Sequence, residues 1–203
     1  CLVVFIFPDF LEDSADVVAQ RLLGCTFTRT ITYAGEKHTL VARIVETEAY
    51  DESDPASHAF GGKTKRNAAM YGPAGHLYVY LSYGMHFCCN VVCSKDGYGS
   101  GVLIRAVEPI SGIETMRALR ESGKTRKHPL RNYDLTNGPG KVCAALSIDR
   151  TLYGHNLCKT PLVLSINPLH AGEHIIATPR IGISKNANAL RRFFIEGNPF
   201  VSK

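Results

Sequence analysis

The chain has 203 residues, of which 45% are hydrophobic and 20% charged, and its net charge is +5. These proportions exclude a disordered or fibrous chain. The length suits one domain, residues 1–203, that buries its own core without covalent staples. The positive balance fits a polyanionic partner but does not by itself require one.

The first seven residues, CLVVFIF, are apolar but too short to span a bilayer. They also lack the basic flank and small-residue cleavage site of a signal peptide. Ser14 to Leu23 reads as a helix, capped by Ser14 or Asp13, with Ala15, Val18 and Leu22 on an apolar face and Gly24 as its stop. Thr26–Tyr33 and Thr39–Tyr50 are β-like runs that fit a hairpin turning around Ala34–Lys37. From Asp51 to Gly75 no period survives and Asp, Ser, Pro, Gly, Lys and Asn dominate, as in a long functional loop.

Leu77–Ser82 and Met85–Ser94 are strands again, with Tyr83-Gly84 at the turn between them. Val102–Val107 is a further strand that Pro109 is expected to end. Ser111-Gly-Ile-Glu114 has the spacing of a capping box and opens a helix through Met116 and Leu119. Gly123–Arg131 is a basic loop, and Pro139 suits the first turn of a short helix running to Leu146. Pro161–Ile166, Arg180–Ile183 and Leu190–Ile195 complete the expected strands. The pattern predicts a single α+β domain with a mostly antiparallel sheet and helices to its side.

Cysteines stand at Cys1, Cys25, Cys88, Cys89, Cys93, Cys143 and Cys158. Their number is odd, no CxxC occurs and most lie in apolar runs. They read as buried free thiols of a reducing compartment, not as a disulfide framework or a zinc site.

The stretch from Arg43 to Asn90 is the one least suited to plain structure. On a strand, Ile44, Glu46, Glu48 and Tyr50 share one face. Glu46 and Glu48 are then about 7 Å apart, near the separation of paired carboxylates that act on a glycosidic bond. An edge strand turning both acids to solvent would show the same pattern. His58 lies in the long loop, and Tyr50, Tyr78, Tyr80 and Tyr83 supply flat side chains for a pocket that takes a flat, electron-poor ring. A tyrosine on a hairpin tip is also a candidate wedge, because an enzyme acting on a base within a duplex must first rotate it out of the stack. Cations for phosphates come from Lys63, Lys65 and Arg66, then Arg117, Arg120, Lys124, Arg126, Lys127 and Arg131, with Lys141 beside a helix N-terminus.

RIVETEAY, ASHA, the Lys65–Asn67 KRN, LYVYLSYGMHFCCN, VLIRAVEP, GPGK and PRIGI occur in one order along nearly the whole chain. In that set and order the chain resembles the alkyladenine (3-methyladenine) DNA glycosylases of the mammalian type. The resemblance implies a curved sheet flanked by helices with a protruding β-hairpin, no metal and no redox cofactor. It implies cleavage of the N-glycosidic bond of alkylated or deaminated purines in double-stranded DNA by a monofunctional enzyme with no lyase step. It implies a monomer without membrane attachment, located where the DNA is: the cytoplasmic nucleoid of a bacterium or the nucleus of a eukaryote. By resemblance Glu48 activates water and Arg105 holds that carboxylate. Tyr50, His58 and Tyr80 enclose the flipped base, Asn90 disfavours the amino group of guanine, and Tyr83 intercalates. Arg66, Arg120, Lys141 and Arg150 correspond to backbone contacts. The resemblance also selects Glu48 over Glu46, which strand alternation leaves equivalent.

The chain departs from the family pattern in three places. DESDPAS shortens the segment between Tyr50 and His58, Lys65 replaces a proline, and Leu190-Arg191-Arg192-Phe193 replaces Pro-Trp-Arg-Phe. Two other readings remain open from the residues alone. One is a non-catalytic protein that bends or senses DNA through the wedge. The other is a carbohydrate glycosidase using Glu46 and Glu48 as its acid pair.

Overall fold

The sixteen-residue strand Glu36–Asp51 (β2) is the spine of the structure. In this computed structural model residues 9–125 and 127–202 are described, so the apolar run 1–7 and Arg126 lie outside the described residues. A first helix, Ala15–Arg21 (α1), precedes the strand Thr26–Tyr33 (β1), which pairs with the first half of β2 from Thr26↔Arg43 to Tyr33↔Glu36. Ala34 and Gly35 both have positive φ at the connecting turn, the twist that two-residue hairpin loops need. Gly24 ends the preceding helical turn at φ +93°, as expected.

The strands Leu77–Ser82 (β3) and His86–Val92 (β4) form a hairpin, and Ser100–Ser111 (β5) joins β4 to β2. The helices Ile113–Glu121 (α2) and Pro139–Ala145 (α3) follow, then the strands Leu162–Ser165 (β6), Ile175–Thr178 (β7) and Arg192–Ile195 (β8). The eight-stranded sheet is curled and has the order β3-β4-β5-β2-β1-β6, with β7 paired to β8 and β8 to β2; every pairing is antiparallel. β1 leaves β2 after Arg43, and β8 takes the vacated side from Glu46 to Glu48.

The helices bury the other face. Ala15, Val18, Ala19 and Leu22 follow helical spacing and join Ile44, Val45, Ile104, Met116, Val142 and Cys143 in one core. Each fully buried aliphatic side chain there contributes about 1.5–3 kcal/mol. Cys25, Cys88, Cys89, Cys93 and Cys143 are buried free thiols, as their apolar settings suggested, and Cys158 is half-buried. Among the described residues no helix is long and apolar enough to cross a membrane.

Three local expectations are corrected. Pro109 does not end its strand: it sits opposite Ala42 at a register shift that leaves Ile110 unpaired, and β5 runs on to Ser111. A bulge needs no ladder donor, so proline is tolerated there. Ser111 and Glu114 form no capping box, because Ser111 belongs to β5 and left-handed Gly112 starts α2 without a side-chain cap. Arg180–Ile183 is not a strand; Gly182 has φ +75° and the segment turns towards β2, while the strand lies earlier, at Ile175–Thr178. The long loop after Asp51 also contains a single 3-10 turn, Ala68–Tyr71.

Candidate active site

The curled sheet presents a cleft of about 430 Å³ between β2, β3, β4, β5, the 52–75 loop and the 181–183 turn. Strand alternation holds where it matters. Thr47 points towards the helices and donates its hydroxyl to the Ala19 carbonyl at 2.7 Å, while Glu46 and Glu48 both reach Arg105 on the other side. Arg105 is itself placed by an irregularity. The β2–β5 register passes from Glu46↔Ala106 to Thr47↔Ile104, so Arg105 has no partner on β2. Bulges of this kind re-aim a side chain beside a site.

The two glutamates have different environments. Both are fully buried. Glu46 is saturated: it accepts from Arg105 Nε at 3.3 Å, Arg192 Nε at 2.6 Å, and the Ser202 amide and hydroxyl at 2.8 Å each. Glu48 lines the cleft, and among the described lining residues it is the sole carboxylate. Its Oε2 accepts the Tyr50 hydroxyl at 2.7 Å. Its Oε1 accepts the Ile181 amide at 2.9 Å and faces Arg105 Nη1 at 3.3 Å. Burial, then the Glu48 charge, pushes the Tyr50 phenol upwards, so it remains a neutral donor. The two acids, equivalent by strand alternation, thus differ in environment: Glu46 is held by Arg105, Arg192 and Ser202, and Glu48 lines the cleft. Among the described lining residues Glu48 is present and Glu46 is not, so the two do not form a carboxylate pair facing the cleft.

Aromatic rings form the walls. Tyr78 and Tyr80, two apart on β3, stack at 5.6 Å between centroids. His58 meets Tyr80 edge-on at 4.5 Å, and its Nδ1 lies 3.0 Å from the Tyr78 hydroxyl. Desolvation against these rings, then the Arg66 cation, holds the His58 imidazole below its ordinary pKa, although the residue as a whole is exposed. Burial pushes Tyr78 to about 12 and Cys88, another lining residue, to about 11, so both stay protonated. Asn90 is buried at the cleft, its Nδ2 3.3 Å from the Tyr78 carbonyl.

The shortened loop still delivers His58 to the cleft. Asn67 donates to the His58 and Gly62 carbonyls at 2.8 and 3.0 Å, and Tyr71 donates to the Ala59 carbonyl at 2.8 Å. Ala59 and Tyr71 pack so closely on Gly99 that a Cβ there would lie 2.6 Å from the Tyr71 ring. Tyr71 is therefore a support of the loop and not a wall of the cleft. Tyr78 is at the cleft as the tyrosine cluster suggested, whereas neither composition nor spacing singled out Asn67 or the Ile181 amide. Only the membership of Asn67 in KRN and of Ile181 in PRIGI signalled them.

At the tip of the β3–β4 hairpin, Tyr83 and Gly84 have φ of +49° and +68°. Tyr83 is 86% exposed and Met85 72%. A second, open groove of about 870 Å³ flanks this hairpin, with Lys65, Arg66 and Arg150 on its rim over Val79, Leu81 and Phe87. Lys141 reaches the Asn137 side chain at 2.8 Å, two residues beyond Pro139 of the cleft lining. Arg120 does not fit a surface role. It is buried, and its Nε donates to the Leu135 carbonyl at 2.8 Å, which ties α2 to the following loop. Arg117 and Arg131 likewise hold their own loop, through Asn132 and Asp134, leaving Lys124 and Lys127 exposed there.

Comparison with known proteins agrees with this architecture. Residues 9–199 match the sequence profile of the methylpurine-DNA glycosylase family. A protein of Carboxydothermus hydrogenoformans is 45% identical over 189 residues, covering 92% of this chain and 93% of its own. One of Methanocella arvoryzae is 46% identical over 200 residues, covering 96% and 94%. One of Nitrosospira multiformis is 43% identical over 197 residues, covering 96% and 92%. Each of the three bears the description "Putative 3-methyladenine DNA glycosylase".

Proposed function

The chain belongs to the methylpurine-DNA glycosylase family, and from that premise we propose that it flips an alkylated or deaminated purine out of duplex DNA and hydrolyses its N-glycosidic bond with water activated by Glu48. The substrates of this reading are 3-methyladenine, 7-methylguanine, hypoxanthine and ethenoadenine. The observation that carries it is the single cleft-lining carboxylate, held from both oxygens and facing rings that suit a purine.

Tyr50, His58 and Tyr80 enclose the base, and stacking on their faces attracts a cationic ring. Glu48 takes a proton from water as the oxygen attacks C1′ and the bond to the base breaks. Tyr50, Ile181 and Arg105 fix the carboxylate so that its position does not have to be found during the reaction. A cationic base leaves without further help; a neutral one must also be protonated. Asn90 on the floor disfavours the exocyclic amino group of guanine. Tyr83 fills the space left by the flipped base, while Arg66 and Arg150 beside it engage phosphates.

The cleft lining among the described residues includes arginines but no lysine. That lining offers no side-chain amine for a Schiff base, which supports a monofunctional enzyme. The enzyme acts as a monomer, wherever the cell keeps its DNA. Duplexes carrying 3-methyladenine, hypoxanthine or 1,N6-ethenoadenine test the reading by base release. Release from at least one, without a borohydride-trapped covalent complex, is expected. No release from any would overturn the glycosylase reading, and a trapped complex would overturn the monofunctional part.

A further inference from the structure

We infer that Arg180 is a positioning residue for this reaction, joining the carboxylate that activates water to the loop that carries His58; the inference rests on the glycosylase reading above. Arg180 is buried, and its side chain has no exposed surface. Its Nη1 donates to the Ala49 carbonyl at 2.9 Å, one residue beyond Glu48, and pairs with the Asp54 carboxylate. Its guanidinium carbon lies 4.5 Å from the centroid of the Tyr50 ring. Nε and Nη2 find no hydrogen-bond partner among the described residues. Two buried guanidinium nitrogens left without an acceptor are costly, and the π face of Tyr50 is what compensates them.

Both oxygens of Glu48 depend on this one side chain. Oε2 is held by the hydroxyl of Tyr50, whose ring Arg180 fixes. Oε1 is held by the amide of Ile181, which follows Arg180 in the chain. Asp54 extends the link to the base. Its Oδ1 accepts the Ala56 amide at 3.1 Å, and its carbonyl accepts the Ser57 amide at 2.9 Å, which forms the turn that presents His58. Asp54 keeps Arg191 and Asn186 as partners, each at 3.1 Å, when Arg180 is lost. The loop therefore has a second anchor, and removal of Arg180 acts on Glu48 more than on lesion binding.

The test is single-turnover base release from a hypoxanthine duplex by wild type, Arg180→Met and Arg180→Lys, with active sites titrated on the same duplex. Arg180→Met is expected to lower the plateau rate per active site roughly 10- to 100-fold while the half-saturating enzyme concentration moves by less than about twofold. Arg180→Lys keeps the charge without the planar stack and is expected to recover part of the loss. A purely structural role would lower the active fraction and the melting temperature but leave the plateau rate per active site unchanged, and that result would overturn the inference. If Arg180→Met does not accumulate as folded protein, Arg180→Lys, which loses the planar stack on Tyr50, takes its place. An unchanged plateau rate in that variant is equally fatal. Wild type that releases no base from this duplex or from those carrying 3-methyladenine or 1,N6-ethenoadenine would instead refute the glycosylase reading itself.

Discussion

Glu48→Gln is the most informative single substitution, because its effects on fold and on chemistry can be separated from the structure. The amide oxygen can stay on the Oε1 side, where it still accepts from Ile181 at 2.9 Å and faces Arg105. The amide nitrogen then faces the Tyr50 hydroxyl, which can reverse and accept. What is lost in stability is one charge-assisted interaction with Arg105, about 1.5–3 kcal/mol, and Arg105 retains Glu46 at 3.3 Å. What is lost in catalysis is the proton acceptor, about 10²- to 10⁴-fold, or roughly 3–5.5 kcal/mol of barrier. The variant should fold, bind a lesion duplex and release hypoxanthine at that reduced rate in a single-turnover assay. Glu46→Gln is the control. It weakens the bonds from Arg192 and Ser202 outside the cleft and from Arg105, which keeps Glu48 as a partner, so its main effect should be a lower melting temperature. A Glu48→Gln rate within about threefold of wild type, or a larger rate loss for Glu46→Gln, would refute the assignment of the base.

Other outcomes follow from the same geometry. Tyr83→Ser removes a ring that is 86% exposed, so stability should change by no more than about 0.5 kcal/mol while lesion-duplex affinity, measured by titration, falls. Replacing Arg66 and Arg150 together should reduce the slope of log affinity against log salt by about two; Arg120→Met should leave that slope alone and lower the melting temperature. Burial acts to raise the Asp54 carboxyl, but bonds from Arg180, the Ala56 amide and Asn186 outweigh it and hold the carboxyl below its ordinary value of about 3.9. Its stabilisation is therefore complete above that value and lost as pH falls through the lower folded-state value. Melting temperatures should drop on acidification below about pH 4, less steeply for Asp54→Asn, with Asp51 contributing to what remains. His58 is held below the ordinary imidazole range, so release of a cationic base should be flat at neutral pH and decline only below about pH 6.5, where imidazolium appears and repels it.

The sequence by itself determined most of the strands and the shared face of Glu46 and Glu48, because period-2 alternation and β-branched composition are local properties. It also marked Tyr83 at a hairpin tip, since a Tyr-Gly pair between two strand-like runs has few other uses. The resemblance named the family from motif order. Only the tertiary structure distinguished the two glutamates on physical grounds, because their difference comes from Arg192 and Ser202, more than 140 residues along the chain. Likewise it moved Arg120 from the surface to the interior, where the acceptors are the Asp134 and Leu135 carbonyls. The segment at 180–183, which reads as a strand, proved to be a turn whose amide holds the carboxylate. Its neighbour Arg180 is fixed by Ala49, Asp54 and the ring of Tyr50. No local pattern encodes such a contact, because its partners meet only when β2 lies between β5 and β8 and the loop closes over them.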